Sequence, residues 1–355
     1  MTEKKLFGTD GIRGKANVYP LLPETAVIVG KAITRYFSGN SSSRISAAIG
    51  MDPRISSPML VNAVASGIMS AGSDVTFLGV VPTPLVSDFV RNNGCDFGIV
   101  ISASHNPYHD NGIKIFNSEG EKLNDEEELE IEQIFFDNPA GDGTVGKYAV
   151  KTDSYADYAN RLSSVFSKNL NGCSFKICVD CANGAASFVA QQIFKNIGGI
   201  TPHFFSKDPD GFNINNNCGA LHPEIMSKTV VEKQCDIGIT YDGDADRLIT
   251  IDELGNIVDG DKLIGIFAKS LKNNGMLNNN TVVTTVMSNA GLEKFLKDES
   301  IKLLRTNVGD RYVYEKIKET GSSLGGENSG HIILSDINPT GDGILASLMI
   351  LAVMN

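Results

Sequence analysis

The sequence lacks the features that would place the protein in a membrane, on nucleic acid or outside the cell. The apolar stretch 344–354 is too short to span a bilayer, and residues 1–14 contain no apolar leader core. Asp and Glu number 42 against 31 Lys and Arg, and the resulting formal net charge of −11 disfavours nucleic-acid and anionic-membrane partners. We therefore expect a cytoplasmic protein with no nucleic-acid or membrane partner.

The sequence also lacks a second pair of closely spaced cysteines, which argues against a zinc site. Of its 6 cysteines, only Cys178 and Cys181 have the C-x-x-C spacing. They fall in an apolar segment typical of a strand, where residues three apart point to opposite faces. A lone pair of this kind is a weak indication of zinc, so we expect both to serve in packing and all six thiols to be free.

The length of the chain, 355 residues, exceeds what one ordinary core supports. Three segments, at 45–79, 175–205 and 281–306, each contain a strand, a short loop, a helix and a second strand, as in parallel crossover units. The sequence thus predicts an α/β fold of three tandem, similar domains with mixed, mostly parallel sheets and an active-site cleft between them. The first domain boundary follows the glycine-rich stretch 140–147. The predicted domains comprise residues 1–154, 155–254 and 255–355.

Two predicted helices have unusual compositions. The helix at 125–136 is strongly acidic (DEEELEIEQIFF), and we interpret it as having a solvated face. The helix that begins at Ile344 is apolar on all sides and has no C-cap before Asn355. Because so apolar a helix must be covered, we expect that the native protein continues beyond Asn355 or that a covering domain is missing.

The stretch ITYDGDADRLITIDE, from Ile239, places Asp242, Asp244, Asp246 and Glu253 at the spacing of a calcium-binding EF-hand. That loop needs glycine at its sixth position and helices on both sides, whereas Arg247 occupies this position and the flanks are typical of strands. The EF-hand is therefore disfavoured. A tight turn could instead direct the three aspartates at Mg²⁺, which binds a few carboxylates together with a phosphate. Arg247 would then face the phosphate.

A second polar loop, SASHNP, follows the buried strand GIVI and contains Ser104 next to His105. The G-x-S-x-G motif of α/β hydrolases is absent from it, so that class is disfavoured. A serine that carries a phosphoryl group fits better, because it would supply the oxygen that a three-carboxylate magnesium site still needs. A simple polar turn is the alternative.

Two glycine-rich stretches complete the set of candidate loops. The stretch 324–332 contains Glu327 and Ser329, which suit sugar hydroxyls, and His331, which could act as a general acid or base. An ordinary surface loop is equally compatible with this composition. In the N-terminal stretch 7–14, glycines around Arg13 allow close approach to a ligand.

These stretches occur in the order found in the α-D-phosphohexomutase superfamily, which the chain resembles. The motifs are FGTDGIRG (7–14), ISASHNP with DNGIK (101–114), DGDADR (242–247), TNVGDRYV (306–313) and GGENSGH (325–331). One such motif would be weak evidence, but the ordered set spans nearly the whole chain and is specific. The GTDGIRG start and the Ser102-Ala-Ser104 form look most like the glucosamine-phosphate branch of the superfamily.

The resemblance implies specific roles for the residues in these motifs. It implies that Ser104 is phosphorylated in the active enzyme and that this phosphorylation is required. It also implies one Mg²⁺ per active site, bound by Ser104, Asp242, Asp244 and Asp246. The implied substrate-binding residues are Arg247, Glu327, Ser329 and Arg311. Other implied roles are charge neutralisation by Arg13, Lys114 and Arg247, proton transfer by Lys114 or His331, and support of the phosphoserine loop by His105.

The implied reaction interconverts glucosamine 6-phosphate and glucosamine 1-phosphate through a bisphosphorylated sugar, on the route to UDP-N-acetylglucosamine and cell-wall precursors. Phosphoryl transfer depends on positioning and charge neutralisation, which these residues would supply. Family members have a fourth domain whose Arg-Ser-Gly-Thr loop grips the phosphate that is not reacting. No such loop occurs in these 355 residues, so we expect this chain to turn over poorly.

Several alternatives stay open at the level of sequence. Phosphomannomutase or phosphoglucomutase activity is the nearest alternative within the family. A hydrolase would release inorganic phosphate from the phosphosugar, and a binding fragment without turnover is a non-enzymatic alternative. The phosphorylated amino sugar is the expected partner, and the sequence leaves a homodimer open.

Overall fold

A computed structural model of the chain describes residues 5–8, 10–39, 44–140 and 143–355. Thr9 of the N-terminal motif and residues 141–142 of the glycine-rich stretch lie outside these residues. The chain divides into two compact units. The first comprises Met1–Tyr155 with Asp210–Ile214, and the second comprises Ala156–Pro209 with Asn215–Asn355.

The first unit is built on a six-stranded sheet with helices packed on it. Its strands are β1 (Ile12–Lys15), β2 (Ser46–Met51), β3 (Asp74–Val80), β4 (Phe97–Ile101), β5 (Asp110–Asn117) and β6 (Tyr148–Val150). Its helices are α1 (Pro23–Ser38), α2 (Ser57–Ser70), α3 (Thr83–Asn93) and α4 (Asp125–Phe136). The strand order is β1-β5-β4-β2-β3-β6, in which β4, β2, β3 and β6 are parallel neighbours and β5 is antiparallel to β4 and β1.

The second unit contains two sheets, each with its own helices. The first sheet has the order β11-β10-β9-β7-β8 and comprises β7 (Phe175–Asp180), β8 (Ile200–Phe205), β9 (Ile237–Tyr241), β10 (Leu248–Asp252) and β11 (Ile257–Val258). Its helices are α5 (Ser154–Phe166), α6 (Ala186–Asn196) and α7 (Pro223–Lys233). In this sheet β7 is parallel to β8 and β9, whereas β10 is antiparallel to β9 and β11.

The other sheet of the second unit has the order β13-β12-β14-β15. Its strands are β12 (Thr281–Thr285), β13 (Lys302–Thr306), β14 (Leu324–Gly326) and β15 (Ile332–Leu334). The helices of this part are α8 (Gly260–Asn273), α9 (Ala290–Asp298), α10 (Asp310–Thr320) and α11 (Gly343–Met354). The strand pairs β12–β13 and β12–β14 are parallel, whereas β14–β15 is antiparallel.

The three strand–helix–strand segments predicted from the sequence are confirmed as β2-α2-β3, β7-α6-β8 and β12-α9-β13. In each segment the two strands are adjacent and parallel. The chain therefore consists of three tandem α/β domains with mixed, mostly parallel sheets. No helix of the described part of the chain is both long and apolar enough to cross a bilayer.

Residues Gly343–Leu351 of the apolar helix α11 are buried within the second unit, and only its last turn is exposed. The expectation that all six cysteines are free thiols is wrong. Cys178 on β7 and Cys235 just before β9 form a disulfide, so the six thiols are not all free. Because β7 and β9 are adjacent parallel strands, cysteines distant in sequence meet in one buried cluster.

Candidate active site

The phosphoserine candidate lies at the carboxyl end of the first sheet, where ligand sites of open α/β sheets occur. Ser104 follows β4 in the loop that leads to β5, and its side chain is buried. Its backbone has a φ of 51°, a conformation that non-glycine residues adopt rarely. The Ser104 amide donates to the Ser102 hydroxyl at 2.9 Å, and the Ser104 Oγ lies 3.3 Å from His105 Nδ1. His105 thus lies beside Ser104, where the resemblance places it.

A cluster of cations surrounds Asp10 in the same unit. Lys114 Nζ lies 3.4 Å from the Asp10 carboxylate, Lys122 Nζ donates to it at 2.6 Å, and Arg13 is also ion-paired with it. Burial by itself would raise the pKa of Asp10, but Lys114, Lys122 and Arg13 outweigh burial and hold that pKa well below its usual value. Three cations thus converge on one carboxylate, an arrangement suited to binding a phosphate.

Replacing Asp10 by asparagine should therefore destabilise the protein in a pH-dependent manner. A carboxyl whose pKa is depressed on folding contributes stability above its unfolded pKa of about 4, and this contribution is lost as pH falls through the folded value. We expect D10N to lower the free energy of unfolding by about 2 kcal/mol at pH 7, and the difference from wild type to shrink below pH 4. Urea titrations at several pH values measure this. The exposed Glu119→Gln in the same unit should leave the urea midpoint unchanged, and a pH-independent effect of D10N would contradict the prediction.

The N-terminal segment before Arg13 is held by Glu132 of α4. The Glu132 carboxylate accepts hydrogen bonds from the amides of Lys5 and Leu6, both at 2.8 Å, and of Phe7 at 3.4 Å. Glu132 is only 5% exposed, so the expectation of a simply solvated acidic face on this helix is wrong at this position. A buried carboxylate must be paired, and here backbone N–H groups more than 120 residues away supply the partners.

Glu132→Gln should release this segment. The amide side chain replaces one acceptor oxygen by a donor that faces N–H groups, so we expect a loss of about 2 kcal/mol in stability. Hydrogen exchange at the amides of Lys5, Leu6 and Phe7 should become faster. Glu130→Gln, an exposed residue on the same helix, serves as the matched control. Equal protection of these three amides in both variants would refute the role of Glu132.

The three aspartates converge in the second unit, in the turn between β9 and β10. The flanks of this turn are strands, as predicted, and not the helices that an EF-hand requires. Asp242, Asp244 and Asp246 are each at most 3% exposed, and one carboxylate oxygen from each lies within 4.8 Å of the others. Three buried carboxylates so close together repel one another unless a cation lies between them. The donor set consists only of oxygen atoms and can hold a hard divalent metal ion.

Close backbone packing fixes the shape of this turn. Ala185 N donates to Gly243 O at 2.8 Å, Gly343 N donates to Ala245 O at 3.0 Å, and Leu248 N donates to Gly330 O at 2.9 Å. A Cβ on Gly184 would lie 2.3 Å from Gly243 O, and one on Gly343 would lie 2.4 Å from Arg247 O. Glycine is therefore needed at both positions, and the start of α11 supports the acidic turn directly.

Arg247 and His331 lie beside the aspartates. Burial would lower the pKa of Arg247, but the nearby carboxylates, chiefly Asp242 and Asp246, raise it. His331 is 3% exposed, with Nδ1 3.6 Å from Asp246 and Nε2 3.1 Å from Asp310. Burial would also lower the pKa of His331, but Asp310 and Asp246 raise it to about 10. Gly341 N donates to His331 Nε2 at 3.0 Å, so the buried imidazole is held in place beside Asp246.

The predicted sugar-binding loop lies next to the same turn. A backbone bridge joins Arg247 to His331, and Glu327 N donates to His331 O at 2.9 Å. The Glu327 carboxylate accepts from Gly309 N at 3.2 Å and from Ser329 Oγ at 3.3 Å. Glu327 and Ser329 are thus in contact with each other, and their role in binding sugar hydroxyls stays a prediction. Arg311, in the first turn of α10, is largely buried with its guanidinium 5.2 Å from the centre of the Tyr312 ring.

The predicted site residues fall into two groups, one in each unit. Ser104, His105, Arg13 and Lys114 belong to the first unit, whereas the aspartates and the loop 325–331 belong to the second. The participation of Ser104 in the metal site stays a prediction. Sequence reasoning missed Asp10, Lys122 and Glu132. Asp10 lies inside the motif FGTDGIRG and could have been considered, whereas nothing local marks the other two.

Comparison with known proteins matches three consecutive parts of the chain to three domains of one protein family. Residues 4–141, 153–255 and 259–355 match α/β/α domains I, II and III of the phosphoglucomutase/phosphomannomutase family, respectively. Two similar proteins are phosphoglucosamine mutases. That of Granulibacter bethesdensis is 46% identical over 360 residues, covering 100% of this chain and 78% of the relative. That of Fusobacterium nucleatum is 47% identical over 358 residues, covering 99% and 78%.

A solved structure shows the same fold. The phosphoglucomutase/phosphomannomutase family protein of Burkholderia thailandensis superimposes with a TM-score of 0.84 at 26% sequence identity. The match covers 98% of this chain and 76% of that protein.

Proposed function

The chain belongs to the phosphoglucomutase/phosphomannomutase family, and from this membership we propose that it is a phosphoglucosamine mutase. The proposed reaction interconverts glucosamine 6-phosphate and glucosamine 1-phosphate. Identity of 46–47% over the whole chain to two phosphoglucosamine mutases supports this substrate over other hexose phosphates. The observation that supports the chemistry is the convergence of three buried carboxylates within 4.8 Å, next to a sugar-type loop.

Magnesium is the metal that we assign to the aspartate site. The donors are carboxylate oxygens without nitrogen or sulfur, and Mg²⁺ favours a few such ligands together with a phosphate oxygen. When bound, the ion would neutralise charge on the transferring phosphoryl group. Asp242, Asp244 and Asp246 would hold the ion. His331 would orient Asp246, and Arg247 would bind phosphate oxygens through its planar fork.

The phosphoryl group is carried by Ser104. A hydroxyl oxygen of the sugar phosphate attacks the phosphorus of phosphoserine, the new O–P bond forms, and the bond to Ser104 Oγ breaks. In net terms the hydroxyl proton of the sugar ends on Ser104 Oγ, giving a sugar bisphosphate and a free serine. After the bisphosphate reorients, its other phosphoryl group returns to Ser104 by the reverse step. The positive cluster of Arg13, Lys114 and Lys122 would stabilise the charge of the moving group.

Proton transfer and sugar binding are assigned to the remaining residues. Lys114 is the proposed proton-transfer group, because His331 is enclosed between two carboxylates. Glu327 and Ser329 would bind sugar hydroxyls, and Arg311 would contribute to substrate binding.

Phosphorus NMR of a reaction mixture tests the proposal. The purified 355-residue chain is incubated at high concentration with glucosamine 6-phosphate, Mg²⁺ and a trace of glucosamine 1,6-bisphosphate. We expect a glucosamine 1-phosphate resonance and a phosphoserine that maps to residue 104. Release of inorganic phosphate without 1-phosphate would instead identify a hydrolase. A higher kcat/KM with mannose or glucose phosphates would identify one of the other mutases.

A further inference from the structure

A buried ion pair lies directly behind the phosphoserine loop and is not part of the chemistry described so far. Strands β2 and β4 are parallel neighbours, with Met51 opposite Ile101. The residues that follow them, Asp52–Arg54 and Ser102–Ser104, therefore emerge at the same edge of the sheet. A hydrogen bond from Asp52 N to Ile101 O, at 3.0 Å, joins the two segments at their start.

Arg54 connects this ion pair to the backbone of the loop. Its side chain is 0% exposed, and its Nη1 is bonded to the Asp52 carboxylate, which is also 0% exposed. Its Nη2 donates to the carbonyl oxygen of Ser104 at 3.0 Å and to that of Asn106. One guanidinium group thus holds the two carbonyls that flank His105.

The carboxylate partner is itself fixed. Asp52 accepts hydrogen bonds from Arg54 N at 3.1 Å and from Ser57 Oγ at 3.0 Å. The Ser57 hydroxyl accepts from Asn111 Nδ2 at 3.1 Å, and Asn111 Oδ1 accepts from Gly112 N at 2.8 Å. The network therefore extends from the start of α2 to β5, and it leaves the guanidinium little freedom to move.

The backbone of Ser104 needs such support. A φ of 51° at a serine is unfavourable on its own and persists only where surrounding contacts determine it. The Ser104 N–H is held by Ser102 Oγ, and its C=O is held by Arg54. Both peptide groups next to Ser104 are thus fixed, so the direction of its Cα–Cβ bond is fixed as well.

We infer that Arg54, held by Asp52, is a positioning residue that presents the Ser104 hydroxyl for phosphoryl transfer. This inference rests on the proposed function, in which Ser104 carries the phosphoryl group. The pair has no net charge, so its effect is geometric, unlike that of the cationic cluster around Asp10. A buried ion pair adds little net stability compared with apolar residues of the same size, which makes stability alone a poor reason for its presence.

Arg54→Lys tests the inference, because lysine keeps the charge but cannot reach Asp52 and two carbonyls at once. The rate constant for phosphorylation of Ser104 by glucosamine 1,6-bisphosphate is measured in single turnovers by mass spectrometry. We expect this rate constant and kcat to fall about 100-fold, with KM changed less than about threefold. An unfolded fraction would lower only the amplitude of phosphorylation, so the rate constant separates positioning from stability.

Arg44→Lys is the matched control. Arg44 also pairs with an aspartate, Asp74 at 3.1 Å, and donates to a backbone carbonyl, that of Val145, but it is exposed. This variant should phosphorylate at the wild-type rate. Ser57→Ala removes the hydrogen bonds of the Ser57 hydroxyl to Asp52 and Asn111 but leaves the Arg54–Asp52 pair, and it provides a milder test if Arg54→Lys does not fold. We expect Ser57→Ala to lower the rate constant about 3- to 10-fold.

The outcomes distinguish this inference from the proposed function. A folded Arg54→Lys protein that is phosphorylated at the wild-type rate would overturn the positioning role, as would a Ser57→Ala rate constant equal to that of wild type. If wild type itself forms neither phosphoserine nor glucosamine 1-phosphate, the proposed function fails, whatever the variants do.

Discussion

Replacing Ser104 by alanine is expected to abolish phosphoenzyme formation and to lower turnover by about 10⁴-fold or more, because the proposed reaction proceeds only through an oxygen at this position. Mass spectrometry of the intact protein after incubation with glucosamine 1,6-bisphosphate should show one added phosphate in wild type and none in the variant. The melting temperature should change little, because the substitution removes a single oxygen atom, whose contact with His105 is long at 3.3 Å.

Ser102→Ala is the matched control for this experiment. Ser102 is equally buried, two residues earlier in the same loop, and its hydroxyl only accepts a hydrogen bond from Ser104 N. We expect this variant to remain phosphorylated on Ser104 and to lose about tenfold in turnover. Phosphate found on Ser102, or a fully active Ser104→Ala protein, would mean that the phosphoryl carrier has been misassigned.

The second large effect is expected at the aspartate turn, where Asp244→Asn should change activity and stability in opposite directions. Turnover should fall by about 10³-fold, because one metal ligand is lost. Without added metal the variant should melt about 2–4 °C higher than wild type, because one of three mutually repelling buried carboxylates is gone. Magnesium at 100 times its dissociation constant stabilises a binding protein by about 2.7 kcal/mol, and the variant should lose most of this gain.

Glu253→Gln provides the control for the loss of an acidic residue. Glu253 is the fourth acidic residue of the EF-hand-like pattern and is exposed just beyond β10. Its replacement should leave both the magnesium-induced rise in melting temperature and the turnover unchanged. Calorimetric unfolding scans with and without Mg²⁺ measure both responses. If Mg²⁺ stabilises the Asp244→Asn protein as much as wild type, the ion does not bind at this turn.

The order of elements and the identity of the candidate loops could be predicted from the sequence. The alternation of apolar strands and helices predicted the three crossover units, because the periods of side-chain direction in helices and strands are local properties of the chain. The acidic turn was recognisable because its three aspartates are close in sequence and lie between two strands. Ser104 could be proposed from the sequence because it lies in an ordered set of motifs that resembles the α-D-phosphohexomutase superfamily.

The tertiary structure alone decided which charged and sulfur-containing residues are buried and what they contact. Glu132, on an acidic helix, accepts hydrogen bonds from amides of the N-terminal segment. Arg54 donates to the carbonyl of Ser104, 50 positions later, and Cys178 forms a disulfide with Cys235 of the neighbouring strand segment. In each case the partners are brought together by strand order and helix packing, and those depend on contacts between distant parts of the chain. The amino-acid sequence thus determined which groups could perform the chemistry, whereas burial and long-range contacts determined their partners, charge states and orientation.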